Sequence, residues 1–349
     1  MTFLLYGSYG YTGRLIAEQA KEYGLTPILA GRDDARVKAQ AESLGYDYRV
    51  FALDDPAELD KQMQDVSMVF HSAGPYIYTA RPMMEACLRN KVHYVDITGE
   101  IEVFEMAHEF DAQAKQAGIM MLSGAGFDVV PTDCLALYLK QMMPEAVRLD
   151  LAFAGGSGLS HGTALTAVEN LGKPSAERQD GKIVEVPLGA HTLTIPADPQ
   201  PYFVMSIPWG DVSTAFYTTA IPNIRTYTGI APKSYRWVGL MKYFGWLLRA
   251  QWVKNIARRR IKKGPAGPSE KSRIKSRTVV WGRVTHASGQ SKEARLITPE
   301  GYTLTAITSL LITKRVLAGD LKVGFQTPAG CYGADLVMEV DGVVREELS

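Results

Sequence analysis

Residues 3–13 read Phe-Leu-Leu-Tyr-Gly-Ser-Tyr-Gly-Tyr-Thr-Gly, an apolar run followed by Gly7, Gly10 and Gly13 at equal spacing and then a helical pattern. This order predicts a strand, a tight turn and a helix N-terminus. Such a turn needs glycine where the backbone takes positive φ or approaches a ligand, and the first helical turn presents N–H groups without backbone acceptors. Those donors suit a phosphate, so the expected ligand is a nucleotide. The spacing departs from the commoner G-x-G-x-x-G, and the context must carry the reading. Pro27 to Ala30 supplies it as a second strand ending in Gly31-Arg32. Where an acid would meet a free ribose 2′-hydroxyl, this chain has a guanidinium, whose planar donor fork suits a phosphate and biases the site toward NADPH. The plainer reading is a turn followed by a surface arginine.

These residues need a parallel sheet to position them, and the first part of the chain alternates strands and helices accordingly. Helix Asp33–Leu44 leads to a strand at Arg49–Leu53, and Asp54-Asp55-Pro56 then sits near an adenine or caps helix Ala57–Met63. Strand Val66–His71 runs into Ser72-Ala73-Gly74-Pro75-Tyr76. Ligands bind outside the carboxyl ends of parallel strands, so this loop is expected against the cofactor. Helix Ala80–Asn90, strand Tyr94–Ile97, helix Val103–Ala117 and strand Ile119–Leu122 follow. The last empties into Ser123-Gly124-Ala125-Gly126-Phe127-Asp128-Val129-Val130-Pro131-Thr132-Asp133.

At 349 residues, 46% of them hydrophobic, two domains are expected. The 38 Lys plus Arg against 37 Asp plus Glu give a net charge of +1, which speaks against a nucleic-acid footprint. Cys87, Cys134 and Cys331 are too scattered for a metal set and read as small buried hydrophobes, so no metal is expected. Neither a secretory leader nor a membrane-length apolar run is apparent, and the expected location is the cytoplasm.

From Arg148 the pattern changes to short strand-like segments at Leu149–Phe153, Lys182–Val186, Thr192–Pro196 and Ser213–Thr219, with a hairpin formed by Arg277–Ala287 and Lys292–Thr298. This predicts a second, largely antiparallel α+β domain covering the mouth of the cofactor site. Within it, Leu240, Phe244, Leu248, Trp252 and Ile256 recur at helical spacing, and Arg249, Lys254, Arg258, Arg259, Arg260, Lys262 and Lys263 make the other side and the end basic. The readings for 240–263 are a packed helix with a solvated end, a peripheral membrane contact, or docking of an acidic carrier protein. Helices at Ala306–Leu317 and Cys331–Glu339 close the chain. The expected domains are 1–132, 133–326 and a C-terminal helix in 327–349 packing on the first.

With these motifs set out, the chain resembles the saccharopine dehydrogenase-like oxidoreductases and, within them, the trans-acting enoyl reductases. The motifs are residues 7–13, Ala30-Gly31-Arg32, 72–76, Tyr94 to Glu100, Gly124 to Asp133 and Thr327-Pro328-Ala329. The resemblance implies a Rossmann-type α/β domain binding NADP, a second domain that mediates homodimerisation, and hydride transfer in the cleft between them. By position, Gly7, Ser8, Tyr9, Gly10, Tyr11 and Thr12 would hold the pyrophosphate and Gly31 and Arg32 the adenosine phosphate. Ser72, Ala73, Gly74 and Pro75 would lead toward the nicotinamide, beside Asp96 and the Gly126-Phe127-Asp128 loop.

A saccharopine-type substrate is a charged amino-diacid, and no matching arginine cluster stands out in the middle of the second domain. Trp209, Phe216, Tyr217, Tyr227, Trp237, Phe244 and Trp246 occupy it instead. The leading expectation is therefore NADPH-dependent reduction of a conjugated C=C in a bulky apolar small molecule. The alternatives are saccharopine-like chemistry at C=N of an amino-acid substrate, or a non-catalytic NADP-binding protein. Reduction of an enoyl group asks for a donor at the enolate oxygen, whereas an imine asks for hydride and a positive nitrogen. Tyr76 is the first candidate donor, followed by Asp96, Asp128 and His161. Each has a structural alternative as a cap or loop anchor.

Overall fold

The computed structural model describes residues 2–170, 172–238 and 249–348. The chain divides into two compact units, Met1–Val130 with Tyr302–Cys331, and Pro131–Gly301 with Tyr332–Ser349.

The first unit is built on a wholly parallel sheet of β1 (Thr2–Tyr6), β2 (Thr26–Gly31), β3 (Tyr48–Val50), β4 (Met68–His71), β5 (His93–Asp96), β6 (Met120–Leu122) and β15 (Gly324–Gln326). Their order is β15-β6-β5-β4-β1-β2-β3, so the order in which strands are added reverses between β1 and β4, where doubly wound sheets open a ligand crevice. Phe3, Leu4 and Leu5 are completely buried, because helices cover both faces of such a sheet and its strands become continuous apolar runs. Helix Tyr11–Gln19 follows β1, and helix Asp34–Leu44 follows β2. Asp55 does cap the next helix, Pro56–Gln62, accepting from the amides of Ala57 and Glu58. The helix expected over Val103–Ala117 is two, Ile101–Glu109 and Asp111–Ala117, joined at Phe110.

Helix Gly301–Leu317, from Tyr302 onward, belongs to this same unit. It carries no strong polar side. Leu304, Leu310, Ile312 and Val316 are buried together with Thr305, Thr308, Ser309 and Thr313. Two of those hydroxyls serve the β6 loop: Thr305 Oγ1 accepts from the amide of Phe127 at 2.9 Å, and Thr308 Oγ1 donates to the carbonyl of Ala125 at 2.8 Å.

The second unit is a nine-stranded sheet of β7 (Ala146–Gly155), β8 (Ser175–Gln179), β9 (Lys182–Val186), β10 (Thr192–Ile195), β11 (Tyr202–Ser206), β12 (Asn223–Gly229), β13 (Arg277–His286), β14 (Ser291–Pro299) and β16 (Val344–Glu347). Its main path runs β10-β11-β12-β7-β13-β14-β16, parallel only between β12 and β7. The expected β13–β14 hairpin is present.

Three expectations are corrected in this unit. Ser213–Thr219 lies in a helix, Asp211–Thr219, because burial of Val212 to Ala215 overrides the strand preference of Val, Thr and aromatic residues. The end of the chain is a short helix at Pro328–Tyr332, a 3₁₀ turn at Leu336–Glu339 and the edge strand β16, and residues 332–349 join the second unit rather than the first. The proposed 240–263 helix begins at Gln251 in the described residues, because Ala250 has extended backbone; Leu240, Phe244 and Leu248 lie outside them.

This sheet buries charge. Asp150 is fully enclosed, and Arg148, Arg283 and the Tyr227 hydroxyl donate to it at 3.0–3.2 Å. Removing one member of such a group leaves uncompensated buried charge. Asp150→Ala is expected to lower stability by about 3–5 kcal/mol, read from urea denaturation. A loss within the range of ordinary surface substitutions would contradict the assignment.

Candidate functional site

The glycine turn is built by close approach. Gly7 has φ of 84°, and a Cβ there would lie 2.8 Å from Ala73 Cβ and its backbone. At Gly13 a Cβ would lie 2.4 Å from the Gly7 carbonyl oxygen and 2.8 Å from Ser72 Oγ. The start of helix Tyr11–Gln19 is thereby pressed onto both the turn and the β4 loop. Gly10 is its N-cap and supplies no side-chain cap, and the first turn contains no acid. Beside them the Ser8 hydroxyl is completely buried with no hydrogen-bond partner among the described residues. An orphaned hydroxyl beside a helix N-terminus with no side-chain cap fits a bound phosphate.

At the end of β2, the Tyr9 ring lies across Gly31, where a Cβ would come within 2.4 Å of it. Arg32 is exposed there. Arg36 escaped the sequence reading. Its guanidinium stacks over the Tyr9 ring at 4.4 Å and donates to the Tyr9 carbonyl at 3.1 Å. The available signal was a second arginine in the first turn of the helix after Gly31-Arg32. Asp54 is exposed beyond β3.

The carboxyl ends of β4, β5 and β6 gather Ser72 to Tyr76, Asp96 and the loop of Gly126, Phe127 and Asp128. Tyr76 does not stand free. Its ring is buried against His71, its hydroxyl donates to the His71 carbonyl at 3.3 Å, and burial, then the charges of Asp96, Glu100 and Asp128, push its pKa well above the usual phenol range. A phenol held in this way anchors the loop. Its amide and that of Ile77 donate to the Glu100 carboxylate at 2.9 and 2.7 Å, so Glu100, which the sequence reading left without a role, caps helix Tyr76–Asn90.

Asp96 is also fully committed. One carboxylate oxygen accepts from the amides of Thr98 and Gly124 at 3.0 and 2.9 Å, the other from Tyr94 Oη and Ser123 Oγ at 2.8 and 3.0 Å. Burial pushes its pKa up to about 6, against these donors, which favour the ionised form. It is a positioning residue. His71, whose Nδ1 lies 3.1 Å from the same Tyr94 hydroxyl, is kept neutral by burial, with a pKa down at about 3.

Asp128 differs. Its carboxylate rests on Gly99, 2.5 Å from where a Cβ would be, and has no hydrogen bond or ion pair among the described residues. The residue as a whole keeps some exposure, but its carboxyl is enclosed by protein atoms, and that burial pushes its pKa up to about 7. His161 belongs to the second unit, where its Nε2 lies 3.0 Å from the Gly264 carbonyl and its amide donates to Ala266. The cap of the helix it begins is Ser160. No cluster of His, Cys, Asp and Glu suited to a metal occurs among the described residues.

Residues 3–122 match the family described as saccharopine dehydrogenase NADP binding domain. That match covers the first part of the chain, and relatives of the same kind are similar to it over about half its length. The matched residues lie within the first unit and run from its β1 to its β6. The saccharopine dehydrogenase-like oxidoreductase of Homo sapiens is 25% identical over 202 residues, 50% of this chain and 47% of that protein. The trans-acting enoyl reductase of Mycobacterium tuberculosis (strain CDC 1551 / Oshkosh) is 27% identical over 213 residues, 57% of this chain and 50% of that one. These matches thus span half or less of the relatives' length. In fold, the apo saccharopine dehydrogenase (L-Glu forming) from Saccharomyces cerevisiae superposes over 100% of both chains with a TM-score of 0.68 at 15% identity.

Two measurements check the site. Arg32→Asp is expected to weaken NADPH by about 1.5–3 kcal/mol relative to NADH, the value of a charge-assisted phosphate contact. An unchanged ratio of dissociation constants would exclude Arg32 as the reader. For Asp128, the folded pKa near 7 lies above the unfolded value of about 3.9, so the unfolded chain ionises first and stability falls as pH rises between them. Asp128→Asn should therefore be more stable than wild type above neutral pH, by roughly 1–3 kcal/mol, with a flatter profile across that window. Lower stability at alkaline pH would mean that the ionised carboxylate is stabilising.

Proposed function

We propose that the chain is an NADPH-dependent reductase of a polarised double bond, with C=N of an amino-acid-derived imine as the leading substrate class. Gly7, Ser8, Gly10, Tyr11 and Thr12 would receive the pyrophosphate, Arg32 and Arg36 the 2′-phosphate, and Ser72 to Pro75 the path toward the nicotinamide. When bound, the reduced nicotinamide supplies a hydride. What the protein must add is a group that holds or donates a proton near neutrality, and the observation that carries the reading is Asp128, unpaired at the carboxyl end of β6 with a pKa raised to about 7. A carboxyl in that range donates a proton when neutral and balances a positive nitrogen when ionised.

Tyr76 and Asp96, which the chemistry of enolate stabilisation would recruit first, are engaged by their neighbours in the fold. That weakens the enoyl reading, which the similarity to the mycobacterial enoyl reductase keeps as second.

NADPH oxidation followed by absorbance, with imines preformed from amino acids and carbonyl compounds alongside enoyl thioesters, separates the two. Turnover of imines is expected. Asp128→Asn should lower kcat by roughly 10²-fold with NADPH affinity intact and abolish the fall in kcat/KM above about pH 7. Turnover of enoyl thioesters alone would put the second reading first, and full activity of Asp128→Asn would remove this carboxyl from the reaction.

A further inference from the structure

Helix Gln251–Lys263 does not bury the whole of its apolar stripe. Its inward side packs on helix His161–Glu169, where Val253, Ala257 and Ile261 are half-buried and Lys254 and Arg258 are engaged as well. Lys254, only 9% exposed, donates through Nζ to the Glu169 carbonyl at 2.8 Å, and Arg258 pairs with the Glu169 carboxylate at 2.6 Å. Its outward side carries Trp252, 59% exposed, and Ile256, 48% exposed, one turn apart, followed by exposed Arg259, Arg260 and Lys263. A helix serving only to pack would bury the tryptophan and isoleucine and leave lysine in water.

We propose that this outward face rests on an anionic lipid surface. The face is a single stripe, apolar at one end and cationic at the other. The helix contains no acidic residue, and Arg259, Arg260 and Lys263 have no salt bridge among the described residues. Tryptophan favours the level of the lipid headgroups, isoleucine the acyl boundary just below, and arginine and lysine the phosphates. A stripe along one straight helix meets a plane along its length. None of the helices among the described residues is long and apolar enough to cross a membrane, so the contact would be peripheral.

Co-sedimentation of the full chain with phosphatidylcholine vesicles, with and without phosphatidylglycerol, tests this. Binding is expected only to the anionic vesicles and should weaken with salt. Arg259→Glu/Arg260→Glu should abolish it, since each cation near such a surface contributes roughly fivefold in partitioning. Trp252→Ala/Ile256→Ala should weaken it at least about tenfold at constant charge. NADPH binding and the circular dichroism of both variants, compared with wild type, establish that they are folded. No binding by wild type, or binding unaffected by either pair of substitutions, overturns the proposal. So does a change of oligomeric state with Trp252→Ala/Ile256→Ala, which would make this face a contact between copies. Capture of an acidic carrier protein in place of vesicles would likewise assign the face to a protein.

Discussion

The carboxylate of Asp96 is the tie on which the geometry of the first unit depends. It stands at the end of β5 and accepts from the next loop, from the first residues after β6 and from its own strand, while its backbone carbonyl accepts from Ala125 at 2.7 Å. Parallel strands leave their loops independent of one another, and a buried acceptor with four donors removes that independence at a point where no water competes. Gly99 is held where the Asp128 carboxylate can lie on it, and Glu100 is held where it can cap helix Tyr76–Asn90. Through that cap the Ser72–Tyr76 loop acquires its position against the glycine turn. With the carboxylates of Asp96 and Glu100 committed to the fold, Asp128 is left without a hydrogen bond or ion pair among the described residues.

The second unit uses buried charge differently. Asp150 sits among two arginines and a tyrosine, and Glu177 receives Arg225 at 2.9 Å and has His191 at 3.1 Å. Ion groups of this kind contribute less to net stability than apolar packing would, but each penalises every register that separates its members. In a sheet whose strands run both parallel and antiparallel, that is a constraint on which strands pair. The same logic fixes helix Gln251–Lys263: once Lys254 and Arg258 are spent on Glu169, its rotation is set, and Trp252 and Ile256 face outward.

Much of the first unit was legible in the chain itself. The run from Phe3 to Gly13, the strand endings at Gly31-Arg32 and His71, and the loop after Leu122 are local patterns, because strand periodicity, turn glycines and helix starts depend on residues within a few positions of each other. The alternation of strands and helices determined a parallel sheet and, with it, the end at which a ligand binds. The expectation of a phosphate at Arg32 rests on its type and position alone.

What only the tertiary structure decided is which polar residue is occupied and which is free. Tyr76, Asp96 and Asp128 look equivalent in sequence, each a polar side chain near a strand end. They differ because Tyr76 meets a carbonyl, Asp96 meets four donors and Asp128, lying against Gly99, has no hydrogen bond or ion pair among the described residues. Thr305 and Thr308 support the β6 loop from a helix 178 to 183 residues away along the chain, a partnership that no local pattern records. The final segment and Ser213–Thr219 were misread for the same reason: their conformations follow from pairing with β14 and from burial against β12, both long-range contacts. Sequence determines the propensity of an element and the chemical type of a side chain. Occupancy of a hydrogen-bonding group is a property of what folds against it.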